Sequence, residues 1–269
     1  MAEGTATAVP ALRWRHGAGE EALDPVAMEV PVALTFNREP HVVLMATPGD
    51  LEDLAVGFAF TEGLLGGTDE LGGTRVIPRE RGIEVALTVS VECRERAASI
   101  ERRLESRSSC GLCGVKTLEA ALRPPAPVGD HLRLAPAALA RAIDAMAARQ
   151  ALQQESGAVH AAAWCAQDGT PTAIREDVGR HNALDKLVGA RLRAGTTAAP
   201  GFVVISSRAS YEMVAKAAAA GVELLAAVSA PTGLAIDFAR QAGMTLLGFA
   251  RPGRYNVYHG AHRIEDGNE

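Results

Sequence analysis

Two cysteines three positions apart, Cys110 and Cys113, stand in the run Ser108-Ser109-Cys110-Gly111-Leu112-Cys113-Gly114-Val115. The glycines relax the backbone and leave both sulfurs with little side-chain cover. If Val115 to Leu122 is helical, the pair sits at that helix's amino end, where unpaired N–H groups and the dipole favour a thiolate, and Lys116 adds positive charge. Four chemistries compete. A structural zinc site needs four ligands, and neither Cys93 nor Cys165 has a neighbouring cysteine or histidine at zinc-knuckle spacing. A thioredoxin-type dithiol belongs in a thioredoxin-like βαβ pattern, whereas a charged segment precedes this pair. A purely structural buried pair runs against the flanking glycines. A persulfide carrier needs an exposed, nucleophilic thiol that can meet a donor and then an acceptor. Spacing alone does not choose among them.

A second group of residues suits an anion. Asp177-Val178-Gly179-Arg180-His181-Asn182, Ser206-Ser207-Arg208-Ala209-Ser210 and Ser229-Ala230-Pro231-Thr232-Gly233 read as strand-to-helix junctions. Such junctions line the ligand crevice of an α/β sheet, with free N–H groups at the helix starts. Arg180, Arg208 and Ser207 add charge and donors, and Phe249-Ala250-Arg251-Pro252-Gly253-Arg254 carries two more guanidinium groups on a turn. Each junction taken singly is also an ordinary helix cap. His160 reads as a satisfied core histidine, and His181 stands beside Arg180, one helical turn before Asp185.

The elements that must position these groups follow from patterning. Val30, Val32, Leu34 and Phe36 alternate, Asn37 to Pro40 turns, and His41 to Ala46 is apolar, which predicts a β-hairpin. Thr47-Pro48-Gly49-Asp50 has the form of a helix start with Thr47 as cap. The helix it opens has an apolar face of Leu51, Leu54, Ala55, Phe58 and Ala59, and Gly66-Gly67 closes the segment. Ile83 to Val91 alternates as a half-buried strand, and Arg94 to Arg107 reads as a helix with a solvated face. The proline-rich segment Arg123 to Asp130 predicts a domain boundary. We expect residues 1–125 as an N-terminal α+β domain and 126–269 as an α/β layer sandwich. The second stretch predicts helix Pro136–Gln154, strands near Val159–Trp164 and Thr172–Arg175, a helix from Arg180 and strand Phe202–Ile205. Helix Tyr211–Ala220, strand Leu224–Val228, helix Leu234–Ala242 and strand Thr245–Phe249 complete the series.

Bulk properties bound the function. A chain of 269 residues with 48% hydrophobic content can bury a large core. The formal net charge of -5 gives no basic excess for nucleic acid. The first ten residues lack a basic region followed by an apolar core, so a cytoplasmic protein is expected. The longest apolar stretch, Ala217 to Ile236, contains Glu223 and is broken by Gly221 and the Ser229–Gly233 junction, so it reads as helix, strand and loop with no membrane span.

Taken together, Cys110-Gly111-Leu112-Cys113-Gly114, His160 to Trp164, Glu176 to Lys186, Ser206 to Met213 and Val228-Ser229-Ala230 resemble the FdhD/NarQ family, from about Pro31 to Tyr258. The resemblance implies a sulfurtransferase: a sulfur carrier that takes sulfane sulfur from a cysteine desulfurase and passes it to the molybdenum cofactor before insertion into formate dehydrogenase. It implies that Cys110 bears the persulfide and that Cys113 assists or resolves. It also implies that Phe249, Ala250, Arg251, Pro252, Gly253 and Arg254 contact the guanine-dinucleotide form of the cofactor, bis-molybdopterin guanine dinucleotide. Arg180, His181, Ser207 and Arg208 are the further candidates for holding it. A cytidine-deaminase-like three-layer sandwich, a homodimer and no metal ion on the protein itself are expected. Deamination is not, because His160-Ala161-Ala162 lacks the glutamate that zinc deaminases carry two residues after their histidine. The rival reading is a non-catalytic cofactor-binding chaperone whose cysteine pair is structural, metal-binding or a redox sensor.

Overall fold

The computed structural model describes residues 4–104 and 124–265. Cys110 and Cys113, and the helix expected from Val115 to Leu122, lie outside the described residues. Strands β1 (Ala6–Arg15) and β2 (Ala18–Ala27) form an antiparallel ribbon on which Leu12, Trp14 and Leu23 are exposed. The predicted hairpin is β3 (Val30–Phe36) and β4 (Glu39–Ala46), joined through positive-φ Asn37 and Arg38. With β5 (Leu71–Arg79) and β6 (Gly82–Val89) it makes a four-stranded sheet in the order β4-β3-β6-β5, with β3 and β6 parallel. Helix α1 (Leu51–Thr61) connects β4 to β5, and α2 (Val91–Leu104) follows β6.

The second sheet has six strands in the order β12-β11-β10-β9-β7-β8. Its strands are β7 (His160–Cys165), β8 (Pro171–Asp177), β9 (Phe202–Ile205), β10 (Leu224–Ala227), β11 (Thr245–Arg251) and β12 (Arg254–His259). Strands β9, β10 and β11 are parallel and read as continuous apolar runs because both faces are covered. The period of two divides each strand between two cores. Ala162, Trp164, Val203, Ile205, Leu225 and Ala227 join helices α5 (Arg180–Arg193), α6 (Tyr211–Ala219) and α7 (Gly233–Ala242). Ala161, Ala163, Phe202, Val204, Leu224 and Ala226 face α3 (Pro136–Ala148). The result is the three-layer α/β sandwich that the sequence predicts.

The first core continues through α1 to the inner face of the four-stranded sheet, where Val32, Leu34, Phe36, Val85 and Leu87 are buried. Position 125 therefore separates the two sheets, while the hydrophobic core runs on past it. Helices α1 and α5 cross on glycines: a Cβ at Gly57 would lie 1.8 Å from the Asp185 carbonyl oxygen, and one at Gly189 1.9 Å from that of Asp53. Charged pairs flank the crossing. Asp53 meets Arg175 at 2.7 Å and Arg193 at 2.5 Å, and Lys216 meets Asp185 at 3.0 Å and Glu62 at 2.8 Å.

Three local expectations are corrected. Thr47 does not cap α1: Asp50, at φ 52, precedes the helix without a side-chain cap. Thr47 is buried, its N–H donating to Asp177 Oδ2 at 3.0 Å and its Oγ1 accepting from Val178 N–H at 3.2 Å. A long-range partner has displaced the local one. The helix itself stops at Thr61, and the chain to Gly67 is turn and loop. Finally, the expected helix Pro136–Gln154 is two, α3 and α4 (Ala151–Ser156), because Glu176 of β8 accepts from the N–H groups of Leu152 and Gln153 and opens a new helix there. Strands β1, β2, β5 and β12 had no counterpart in the sequence reading.

Candidate functional site at the carboxyl edge of the six-stranded sheet

Strand β7 is antiparallel to both β8 and β9, so the carboxyl ends of β8, β9, β10 and β11 share one edge with the amino end of β7. The topology thus gathers the flagged residues of the described chain onto that edge. Arg180 and His181 open α5 after β8. Ser207 and Arg208 lie in the β9–α6 junction, and Ser229 to Thr232 in the β10–α7 junction. Phe249 to Arg254 end β11 and turn into β12, and His160 begins β7. From β8 to β11 there are four strand spacings, about 19 Å in all. An extended ligand could span the edge.

The β8–α5 junction rests on a buried polar network. The Asp177 carboxylate meets the Lys186 ammonium at 2.7 Å, both side chains fully buried. It also accepts from Gly179 N–H at 2.8 Å and Asn182 Nδ2 at 3.0 Å. Asn182 Nδ2 reaches the Met45 carbonyl at 2.8 Å and Lys186 Nζ that of Thr47 at 3.0 Å, which ties α5 to the end of β4. Much of the Glu176 to Lys186 motif therefore builds the junction, and Arg180 and His181 are what it presents. Arg180 Nε is buried with no hydrogen-bond partner. His181 Nε2 lies 2.9 Å from Glu212 Oε2, and this close contact with His181 holds the Glu212 carboxyl below its usual range against the opposing effect of burial. The expected neighbour of His181, Asp185, points elsewhere. It is buried against Lys216, where burial raises its pKa; burial also opposes the Lys216 ammonium, but the Asp185 and Glu62 carboxylates outweigh it and keep the lysine protonated.

The other junctions are braced by main-chain bonds. Ala209 N–H donates to Ala230 O at 3.2 Å, Thr232 N–H to Ala209 O at 3.0 Å, and Phe249 N–H to Ser229 O at 3.1 Å. Ser207 is buried and its Oγ donates to the Arg208 carbonyl at 3.0 Å, so its hydroxyl serves the turn. Arg208 and Arg254 are exposed, and their guanidinium groups pair with nothing among the described residues. Arg251 differs: it folds back to donate to Val228 O at 2.5 Å and Ala250 O at 2.8 Å. Ala250 is buried, whereas Phe249 is exposed and held at φ 52, a left-handed conformation that costs a bulky residue strain. Pro252 and Gly253, the latter at φ 72, form the exposed hairpin tip.

His160 does not sit in the core. It is half-buried at the mouth of a cavity of about 370 Å³ that it shares with Gln150, Gln153, Gly157, Val159 and Ser206. Burial pushes its pKa down, and the positive charge of Arg180 adds to this. Sequence reasoning missed Gln150, Gln153 and Glu212, because their relation to the edge arises only from the α3–α4 break and the packing of α6 beside α5. A second cavity, of about 310 Å³, lies at the opposite edge against Phe60, Trp164, Leu187 and Arg191. There the Arg191 guanidinium stacks 3.2 Å from the Trp164 ring centre, and burial brings its pKa down to about 10. None of the flagged residues lines it.

No helix among the described residues is long and apolar enough to cross a membrane. The described residues also hold no group of three or more His, Cys, Asp or Glu side chains placed to bind a metal ion.

Comparison with known proteins agrees with this architecture. The "Sulfur carrier protein FdhD" of Cupriavidus necator is 47% identical over 253 residues, 94% of this chain and 88% of its own length. The protein of the same name from Xanthomonas euvesicatoria pv. vesicatoria is 49% identical over 259 residues, covering 94% and 91%. Among solved structures, a putative formate dehydrogenase accessory protein from Desulfotalea psychrophila superposes with a TM-score of 0.77 at 25% identity, covering 97% of this chain and 100% of that one. The FdhD/NarQ family model matches residues 27–265, and the chain belongs to that family.

Proposed function

We propose that the protein is a sulfur carrier serving formate dehydrogenase. Cys110 accepts sulfane sulfur from a cysteine desulfurase, and the molybdenum cofactor, bound as acceptor substrate, receives it before insertion into the enzyme. The observation that carries the reading is the convergence, on one sheet edge, of Arg180, His181, Arg208 and the Phe249–Arg254 turn in a chain whose relatives are named sulfur carriers. The residues fit a pyrophosphate-bearing acceptor: Arg180 has a buried donor without a partner, and Arg208 and Arg254 are unpaired cations among the described residues.

The chemistry balances with the two thiols of the sequence. The Cys110 thiolate attacks the outer sulfur of the desulfurase persulfide; that S–S bond breaks, and the desulfurase cysteine leaves as thiolate. Cys110 then carries one extra sulfur. Attack by the Cys113 thiolate on the Cys110 sulfur releases the outer sulfur at the sulfide level and leaves a Cys110–Cys113 disulfide, which a dithiol reductant reopens. The cofactor is held by arginines and backbone N–H groups while the thiols supply the sulfur, so binding and transfer belong to different parts of the chain.

The test is mass spectrometry after incubation with a desulfurase and cysteine. One added sulfur on Cys110 is expected, absent in Cys110→Ala, which also fails to support formate dehydrogenase. A Cys110→Ala protein that still carries the sulfur and still supports the enzyme overturns the mechanism.

A further inference from the structure

The cavity of about 310 Å³ at the opposite edge joins apolar walls to one buried cation. Phe60, Leu187, Val188, Leu192, Val203 and Val222 supply the walls, and Arg191 of α5 supplies the charge. Arg191 is only 6% exposed, and its guanidinium is fixed in place. One face stacks on the Trp164 ring, and Nη2 donates to the carbonyl oxygens of Thr196, Thr197 and Ala199 at 2.6, 3.2 and 3.2 Å. All these partners are neutral. No carboxylate among the described residues pairs with Arg191, and burial lowers its pKa with nothing opposing it. Asp69, the one carboxylate in the walls, is exposed at the rim and makes no ion pair with it. The remaining donors, Nε and Nη1, bond to nothing among the described residues, and neither is a sealed, unpaired buried atom, so both are open to the cavity that Arg191 lines.

We infer that this cavity binds a small organic carboxylate, an apolar body with one anionic head, whose head accepts from the free donors of Arg191. A cation is repelled there, a purely aliphatic molecule leaves the donors unsatisfied, and a phosphate meets apolar walls where its further oxygens need donors. A carboxylate brings the missing counter-charge into a water-poor space, where a charge-assisted hydrogen bond is strong, and its body buries against Phe60, Leu187 and Val222. The volume lies at the small end of ligand pockets, which suits a short chain or a single ring. Because the stack and the carbonyl oxygens already hold the guanidinium, little order is lost on binding. Arg191 stands at the far end of α5 from Arg180, so binding here is separable from anything held at the other edge.

The full chain is titrated by calorimetry with hexanoate and with relatives that each change one property: hexanamide removes the charge, hexylamine reverses it, and acetate removes the body. Proton–nitrogen NMR of the Arg191 Nε–H, assigned by its loss in Arg191→Lys, places the contact. Hexanoate is expected to bind saturably and to move that signal, and hexanamide to bind about tenfold more weakly or worse. Hexylamine and acetate are expected to leave the signal in place at the same concentration. Arg191→Gln removes the charge, and the folded variant is expected to bind hexanoate and hexanamide alike; a retained preference for hexanoate would count against the inference. Equal affinity of the wild type for hexanamide and hexanoate overturns it, because the cavity is then merely apolar. Acetate matching hexanoate overturns it too, because Arg191 is then an ordinary anion contact, and so does a hexanoate titration that leaves the Nε–H signal unmoved. These arms use the wild-type chain, so they decide the outcome even where Arg191→Gln frees the loop that Nη2 holds and does not fold.

Discussion

At the scale of single residues, the family motifs divide into groups that build the edge and groups that the edge presents. Asp177, Asn182 and Lys186 belong to the first kind, buried and bonded to one another and to the end of β4. Their role was hidden in the sequence because every partner from Met45 to Thr47 lies more than a hundred residues away. Arg180 and Arg208 were legible as candidates because charge at a helix start is a local pattern. His160 was misread as a core residue because its strand is apolar, while the opening beside it is made by α4. Its titration gives a testable consequence. Burial, reinforced by Arg180 and His181 and opposed by Asp177, holds its folded pKa below the ordinary 6.5, so the unfolded chain binds the proton more readily. That contribution to stability is complete above pH 6.5 and is lost as pH falls from there through the folded value. Urea midpoints measured across that window should fall in the wild type and flatten in His160→Gln; parallel curves would remove His160 as the cause.

Among elements, the junctions were easier to read than the supports. Strands β9 and β10 and helices α6 and α7 begin and end within a residue of the sequence expectation, because turn residues and capping positions punctuate them. The ribbon β1–β2 and strands β5 and β12 escaped, being half-exposed strands with little alternation, as β2 shows in Ala18–Ala27. The support that matters most to the edge is the α1–α5 crossing, since α5 carries Arg180 and His181 at its first turn. Only glycine allows these backbones to meet. Gly57→Ala must push the helices apart, at an expected cost of about 1–3 kcal/mol or more. Chemical denaturation should register this as a lower midpoint with an unchanged slope. An unchanged midpoint would mean that the crossing is slack.

For the whole molecule, the shared core means that the two sheets do not stand alone. Residues 126–269 produced by themselves would uncover the Asp185–Gly189 face of α5 on which α1 packs and leave Lys186 without the Thr47 carbonyl. That fragment should bind a hydrophobic dye and unfold without cooperativity, and adding residues 1–125 should restore a sharp transition; a fragment that melts cooperatively alone would refute this. Proline punctuation marked position 125 clearly, but no local pattern tells that α1 and α5 pack through glycines across it. The chain also carries its own reporters of these events. Of its two tryptophans, Trp14 is 69% exposed on the outer ribbon and Trp164 is 6% exposed beneath the Arg191 guanidinium. One indole is open to water while the other is shielded and stacked, so the red shift expected on unfolding should come from Trp164. Fluorescence can therefore follow the central sheet from within, and collisional quenchers can follow the ribbon from without, in the same unlabelled sample.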